Sequence, residues 1–129
     1  MQSILIVEDD EIMLKVVNSM LQREGYNVTV AKNGKEAFEK IRQHPYDLLI
    51  TDLMMPYANG FEIISRVRAE AVHKEMGIIV ISNIGNEDSI TEGFKLGADD
   101  YLKKPIMTGE LLIRIRRLLQ ERANPNAND

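Results

Sequence analysis

The sequence predicts an α/β fold in which a parallel β-sheet is covered by α-helices on both faces. Five short apolar runs, most of them β-branched, recur along the chain and alternate with charged segments. Each run is almost continuously apolar, which is typical of a strand buried on both faces. The intervening segments have the spacing of amphipathic helices. Strands that alternate with helices favour a parallel sheet joined by right-handed crossovers.

The elements follow one another as five strand–helix pairs. The predicted strands are residues 4–7, 28–30, 48–51, 78–81 and 101–102, and the predicted helices lie at residues 11–24, 35–43, 61–69, 86–97 and from Thr108 onward.

The first helix has one apolar stripe and a clear end. The stripe contains Met13, Val17, Met20 and Leu21, with polar residues such as Lys15 off it. Gly25 follows the helix and is expected to terminate it, because glycine adopts the left-handed conformation common at helix ends.

The later helices follow the same rules. The second carries Ala37, Phe38 and Ile41, the third Ile63, Ile64 and Val67, and the last Leu111, Leu112, Ile115, Leu118 and Leu119. Asn86 is expected to cap the fourth helix, whose first turn is acidic and which ends at Gly97. Thr108 is expected to cap the last helix.

Length and composition exclude several classes of protein. The 129 residues suit one domain, which we expect at residues 1–122, followed by a polar tail or the start of a linker at 123–129. With 16 basic and 20 acidic residues the formal charge is 16 − 20 = −4, so we expect no direct nucleic-acid binding. The absence of cysteine excludes disulfides and thiolate zinc sites and is compatible with a cytoplasmic location.

The sequence also argues against a membrane protein. The longest segment without a charged residue, 76–86, is far shorter than the ~20 apolar residues that span a bilayer. Only residues 4–7 are apolar before Glu8, so we expect no signal peptide.

Chemically active side chains stand where the predicted strands end. Glu8, Asp9 and Asp10 follow the first strand and Asp52 the third, Ser82 and Asn83 end the fourth, and Lys103 and Lys104 end the fifth. Open α/β sheets bind ligands at the carboxyl ends of their strands. Clustered carboxylates favour Mg²⁺ or Mn²⁺, and a lysine and a hydroxyl beside them suit a phosphoryl group. A carboxylate can itself receive such a group as an aspartyl phosphate.

Each residue alone also has an ordinary structural explanation. Asp10 and Glu11 suit the start of a helix, Ser82 suits a loop, and Lys104 suits an exposed surface. Asp52 is harder to explain in this way, because it ends an apolar strand and few polar residues stand near it in the sequence. The coincidence at four strand ends on one side of the sheet favours a functional site.

These residues make the chain similar to the receiver domain of two-component response regulators, over residues 3–119. The matching motifs are ILIVEDDE at residues 4–11, LITDLMMP at 49–56 followed by Gly60, IVIS at 79–82, and GADDYLKKP at 97–105. The resemblance implies a doubly wound, flavodoxin-like (βα)5 fold with a five-stranded parallel sheet of order 2-1-3-4-5.

The resemblance also implies roles at the acidic crevice. Asp52 would receive a phosphoryl group from a phosphohistidine of a partner histidine kinase or phosphotransfer protein. Asp9, Asp52 and the backbone carbonyl of Met54 would bind Mg²⁺, or Mn²⁺ in its place, and Glu8 would act through water. Lys104 would contact the phosphoryl oxygens.

A second set of implied roles concerns the switch. Ser82 would move toward the phosphoryl group and Tyr101 would turn inward behind it, while the peptide bond to Pro105 would be cis. The face formed by the fourth helix, fifth strand and fifth helix would then change shape and control an output partner or a fused output domain. No turnover enzyme is implied, because the chain would catalyse only its own phosphorylation and dephosphorylation.

Three positions depart from the family's commonest pattern. Ser82 replaces the more usual threonine but keeps the hydroxyl, and Ile106 stands where phenylalanine is frequent. Asn83 stands where a small residue is expected, so its amide is predicted to hinder small phosphodonors or to alter the lifetime of the phosphate.

Three alternatives remain open from the sequence. A haloacid-dehalogenase-type phosphatase or phosphotransferase would share the aspartyl nucleophile but needs a second aspartate where Met54 stands. A flavin or nucleotide carrier would need a phosphate-binding loop after the first strand, where acidic residues stand instead. A receiver that is never phosphorylated would act only through protein contacts.

The last helix is basic and the fourth is acidic. Arg114, Arg116 and Arg117 lie on the former and Glu87, Asp88 and Glu92 on the latter. These charges suit either a solvated surface or a homodimer through the fourth helix, fifth strand and fifth helix.

Overall fold

Strands and helices alternate throughout the computed structural model, which describes residues 2–54, 59–83 and 85–123. The elements are β1 (Ser3–Val7), α1 (Glu11–Arg23), β2 (Asn27–Ala31), α2 (Gly34–Gln43), β3 (Leu48–Thr51), α3 (Gly60–Ala69), a single 3-10 turn (Ala71–His73), β4 (Gly77–Ser82), α4 (Glu87–Leu96), β5 (Asp100–Lys103) and α5 (Thr108–Ala123). The predicted tail begins at the last residue of α5, and its residues 124–129 lie outside the described part.

The five strands form one parallel sheet of order β2-β1-β3-β4-β5. This confirms the predicted fold class and strand order. Val7 pairs with Thr51, so β1 and β3 end side by side. The strand order reverses at this point, and such switch points form the ligand-binding crevices of open α/β sheets. None of the described helices combines the length and apolar character needed to cross a bilayer.

The sheet separates two apolar layers, one against each face. Alternate residues of β1 enter opposite layers, with Leu5 and Val7 on the α2–α3 side and Ile4 and Ile6 on the α1–α5 side. β1, β3 and β4 are buried along nearly their whole length, which explains their continuous apolar runs.

The buried stripe of α1 differs slightly from the predicted one. Leu14, Val17 and Leu21 are buried, whereas Met13 and Met20 pack at the margin of the core and are only partly covered. The spacing 14, 17, 21 keeps three residues on one helical face. The two methionines are seven residues apart, so they lie on the same side of this face, and they are long enough to reach the margin of the core.

Most predicted helix ends are observed. The Asp10 carboxylate accepts hydrogen bonds from the backbone amides of Ile12 and Met13 at the start of α1. Gly25 has φ = 89° directly after the C-cap of this helix. Asn86 caps α4 through the amide of Ser89, 2.8 Å away.

The predicted cap of the last helix is wrong by one residue. Thr108 is already helical, and the carbonyl of Met107 accepts the first intrahelical hydrogen bond, from the Leu111 amide at 3.0 Å. The cap position therefore belongs to Met107, whose side chain cannot accept a hydrogen bond from the first turn as a threonine hydroxyl would.

Gly93 of α4 and Gly97 at the C-cap of this helix should respond oppositely to alanine. A Cβ on Gly93 would lie 3.6 Å from the Tyr101 ring, an ordinary contact, so Gly93→Ala should stabilise the protein by about 0.5–1 kcal/mol through helix propensity. Gly97 has φ = 118°, and its Cβ would lie 2.8 Å from Arg68, so Gly97→Ala should cost about 1–2 kcal/mol or more. Urea unfolding of both variants measures the difference, and equal signs would contradict the packing of α4.

Candidate functional site

The acidic crevice forms because the sheet pairing continues one residue beyond β1 and β3. The Glu8 amide donates to the Ala31 carbonyl at 3.0 Å, and the Asp52 amide donates to the Val7 carbonyl at 3.1 Å. These bonds hold Glu8 and Asp52 beside each other at the switch point, with 2% and 6% of their surfaces exposed. Asp9, one residue further, is exposed to solvent.

The three carboxylates converge on a small volume. Glu8, Asp9 and Asp52 each place one oxygen within 4.8 Å of the others. Carboxylate oxygens at such distances are typical ligands of Mg²⁺ and Mn²⁺. Asp10 belongs to the helix cap instead, as its ordinary interpretation predicted.

Lys104 brings a positive charge into the same crevice. Its amide donates to the Ser82 carbonyl at 2.9 Å, which fixes the residue just beyond β5. Its Nζ lies 2.8 Å from Asp52 Oδ2 and 3.0 Å from Glu8 Oε2. With all groups ionised, three carboxylates and one ammonium leave a local charge of −3 + 1 = −2, which a divalent cation would neutralise.

The pKa values report this crowding. Burial raises the pKa of Glu8, and the Asp52 charge raises it further against the hydrogen bonds from the Asp10 amide and Lys104. Burial works to lower the pKa of Lys104, but its hydrogen bonds to Asp52 and Glu8 outweigh burial and raise that pKa. Lys104 therefore stays charged at neutral pH. The positive charge near Glu8 is too small to cancel the effect of burial on the pKa of this carboxyl group.

The two oxygens of Asp52 have different surroundings. Oδ1 accepts hydrogen bonds from the amides of Leu53, at 2.6 Å, and Met54, at 3.3 Å, while Oδ2 faces Lys104. Gly60 lets α3 begin directly against this loop, because a Cβ there would collide with the Asp52 carbonyl. Met54 thus lies in the same tight turn as Asp52, with its side chain exposed. Residues 55–58, which include the last two residues of the motif, lie outside the described residues.

Ser82 and Tyr101 come together beside the crevice. Ser82 is fully buried at the end of β4 and shares a side-chain hydrogen bond with Tyr101 of β5. Burial raises the pKa of Tyr101, the Ser82 hydrogen bond opposes this effect, and the Asp52 charge adds to it. The aromatic ring lies next to Phe94 of α4, with 6.5 Å between the ring centroids. The contacts from Ser82 to Tyr101 and from Tyr101 to Phe94 therefore lead from the end of β4 to α4.

An open groove of about 420 Å³ adjoins the crevice. One wall is α1, whose Ile12 and Val16 are 78% and 50% exposed. The other wall contains Asn83, Lys104 and the residues after it. The peptide bond between Lys104 and Pro105 is cis. Ile12 and Val16 were not singled out from the sequence, although they are apolar residues off the predicted stripe of α1.

The sequence is similar to those of known proteins. The family model described as "Response regulator receiver domain" matches residues 4–116. The transcriptional regulatory protein SrrA of Staphylococcus aureus is 34% identical, and the match covers 98% of this chain and 54% of SrrA. The chain thus spans about half the length of the curated relatives it matches.

Solved structures show the same architecture. A CheY-like response regulator receiver domain protein from Methanospirillum hungatei JF-1 has a TM-score of 0.92 at 27% identity, covering 98% of this chain and 99% of its own. The chemotaxis response regulator CheY4 of Vibrio cholerae has a TM-score of 0.86 at 31% identity, covering 92% and 98%. The receiver domain of the Francisella response regulator 1452 has a TM-score of 0.87 at 31% identity, covering 94% and 98%.

Proposed function

This chain belongs to the response regulator receiver-domain family, and from that membership we propose that Asp52 accepts a phosphoryl group from a partner's phosphohistidine. The surroundings of Asp52 are the main support for this proposal. Asp52 is a buried carboxylate at the switch point of the sheet, with an ammonium 2.8 Å from Oδ2 and two further carboxylates beside it.

Phosphoryl transfer to Asp52 requires little rearrangement of the site. Asp52 Oδ2 forms an O–P bond while the N–P bond of the phosphohistidine breaks, and that bond's electron pair remains on the imidazole nitrogen. The Leu53 and Met54 amides hold Oδ1, so the carboxylate is oriented before the donor arrives. Lys104 already contacts Oδ2 and reaches the phosphoryl oxygens with a small side-chain movement.

The donor atoms fit Mg²⁺, with Mn²⁺ as a substitute, because the converging ligands are all oxygens and the local charge is negative. Asp9, Asp52 and the Met54 carbonyl would hold the ion, and Glu8 would act through water. When bound, it neutralises the carboxylates and the incoming phosphoryl oxygens. Burial raises the pKa of Glu8, and a cation held beside it would oppose that rise by favouring the ionised carboxylate.

We assign this protein no turnover reaction of its own. Attack of water on the aspartyl phosphate releases inorganic phosphate and restores the Asp52 carboxylate, which resets the signal. Asn83 borders the groove beside this site, so its amide is placed to influence access and phosphate lifetime. A phosphatase of the haloacid-dehalogenase type is disfavoured because Met54 replaces the second aspartate of that site.

Ser82 and Tyr101 are the proposed switch. A phosphoryl group on Asp52 adds charge and acceptor oxygens, which favour the Ser82 hydroxyl turning toward it. Tyr101 follows, because the two side chains share a hydrogen bond. The surface formed by α4, β5 and α5 then changes shape and controls an output partner or a fused output domain. Any contact with DNA would be made by that partner or domain and not by the receiver domain.

The groove beside the crevice suits the phosphodonor, a cytoplasmic histidine kinase or phosphotransfer protein. The exposed Ile12 and Val16 offer apolar contacts within reach of the Asp52 site. A phosphohistidine must approach Asp52 closely, so its protein must cover this side of the molecule.

A homodimer through α4, β5 and α5 is a further part of the proposal. Exposed apolar side chains occur at Phe94 of α4, at Met107 directly before α5 and at Ile113 of α5. Within one chain, Arg114 pairs with Asp100 and Glu110, and Arg116 pairs with Glu24. Ion pairs between protomers that use these arginines must therefore replace the pairs within the chain. Sedimentation with beryllofluoride and Mg²⁺ should show a dimer at high concentration, and a monomer under those conditions would contradict the dimer.

Intact-mass measurement tests the proposed phosphoryl transfer. Incubation with acetyl phosphate and Mg²⁺ should add one phosphoryl group, and EDTA should prevent the addition. Because Asn83 is predicted to hinder small donors, a phosphorylated histidine phosphotransfer protein is used in parallel. No mass gain from either donor would contradict the proposal.

A further inference from the structure

Arg68, in the last turn of α3, joins segments that are distant in sequence. Its Nε and Nη2 donate to the Gly97 carbonyl at 3.0 and 2.8 Å. Nη1 donates to the carbonyls of Lys74, at 2.9 Å, and Met76. Nη2 also contacts Asp99 Oδ2 at 3.0 Å. One guanidinium thus ties the C-terminal end of α4 to α3 and to the segment before β4.

This attachment is rigid for three reasons. The Arg68 side chain is only 18% exposed, so its charge-assisted hydrogen bonds are little weakened by water. Asp99 Oδ2 also accepts the Ile78 amide at 2.8 Å, which ties it to β4. Gly97 lies directly against the arginine, leaving no room for a side chain between them. A lysine could not reproduce the fork of donors that these contacts use.

The other end of α4 has few such contacts. Gly93 is the only buried residue of this helix, and Glu87 and Asp88 in its first turn are exposed. Asn86 caps the helix through the backbone of that same turn. A helix end with few buried contacts opens more easily than a buried one.

The switch contacts α4 between these two ends. The Tyr101 ring lies beside the backbone of Gly93 and near Phe94. A change in the position of this ring therefore acts on the C-terminal half of the helix, about one turn before Gly97, while the N-terminal end is lightly packed.

We propose that Arg68 is a positioning residue that makes the C-terminal end of α4 a fixed pivot at Gly97. Movement of Ser82 and Tyr101 then displaces the N-terminal turn of α4, and a partner reads the signal there. The inference rests on the proposed function, since phosphorylation of Asp52 supplies the stimulus. Arg68 itself touches neither the phosphoryl group nor its donor.

Hydrogen exchange with mass spectrometry tests the pivot. The full chain is compared with and without beryllofluoride and Mg²⁺, in peptides covering residues 86–92 and 94–99. In the wild type, the mimic should change exchange in 86–92 and leave 94–99 protected. In Arg68→Lys, exchange in 94–99 should rise about tenfold or more, and the mimic's effect should spread into this segment.

Arg66→Lys is the matched control, because Arg66 lies on the same helix but packs over Phe38, 4.3 Å from the ring centroid. It should retain the wild-type pattern. A purely structural role for Arg68 would speed exchange without relocating the response to the mimic, and that result overturns the proposal. If Arg68→Lys does not fold, a wild-type response centred on 94–99 overturns it equally.

Mass measurement separates this inference from the proposed function. If Asp52 accepts no phosphoryl group and no segment responds to beryllofluoride, both the proposed function and the pivot fail. If phosphorylation proceeds but the response lies at Gly97, only the pivot fails.

Discussion

Lys104→Met should lower the free energy of unfolding of the metal-free protein by about 3 kcal/mol at pH 7. Glu8 and Asp52 are buried, and Lys104 is the ammonium that both contact. Its removal leaves two neighbouring carboxylates without their cation, a loss that costs far more than an exposed ion pair. Urea unfolding in EDTA measures the effect.

The pH dependence of this deficit has a definite sign. The pKa of Glu8 is already raised by burial, and loss of Lys104 should raise it further. A raised carboxyl pKa means that the folded state binds protons more tightly, so the deficit should shrink as the pH falls toward 4.5. In the wild type, the raised pKa of Lys104 means that its stabilisation is complete below pH 10.5 and is lost above it.

Lys103→Met is the control, since Lys103 is the adjacent lysine and is exposed. Its stability should stay within about 0.5 kcal/mol of the wild type. Millimolar Mg²⁺ should restore part of the stability lost in Lys104→Met, because a bound cation replaces the missing charge. Equal effects of the two lysine substitutions would show that the crevice carries no uncompensated charge.

Asp52→Asn should abolish phosphoryl incorporation from any donor. The side-chain shape is preserved, but a neutral amide oxygen is a poor nucleophile and a weaker Mg²⁺ ligand than a carboxylate. Lys104 can still donate to the amide oxygen, so the variant should remain folded. Intact mass after incubation with the phosphodonor and Mg²⁺ measures the loss.

Asp88→Asn provides the matched control, because Asp88 is an exposed aspartate in the first turn of α4. It should accept a phosphoryl group as the wild type does. Continued incorporation by Asp52→Asn at the wild-type level would place the acceptor at another residue.

The fold and the crevice were predictable because they depend on local patterns. Continuous apolar strands and the residues that end them specify a parallel sheet and what lies at its carboxyl edge. Once β1 and β3 are neighbours, Glu8 and Asp52 must meet, whatever the details of packing.

Other features depend on contacts that no local pattern contains. Arg68 resembles any surface charge in the sequence, and its partners at Gly97 and Asp99 lie 29 and 31 residues away. The hydrogen bond between Ser82 and Tyr101 depends on side-chain rotamers, which the sequence leaves open. The exposure of Ile12 depends on how α1 is rotated about its axis against the sheet. The number of apolar residues in the helix does not determine that rotation.

Chemical location of the phosphoryl group tests whether Asp52 is the phosphoacceptor. Borohydride reduces an aspartyl phosphate to homoserine but leaves phosphoserine and phosphothreonine intact. After incubation with the phosphodonor and Mg²⁺, peptide mass spectrometry should find homoserine in place of Asp52, and none when EDTA is present. Homoserine at another aspartate, or a phosphoryl group that resists reduction, would contradict the assignment of Asp52 as the phosphoacceptor.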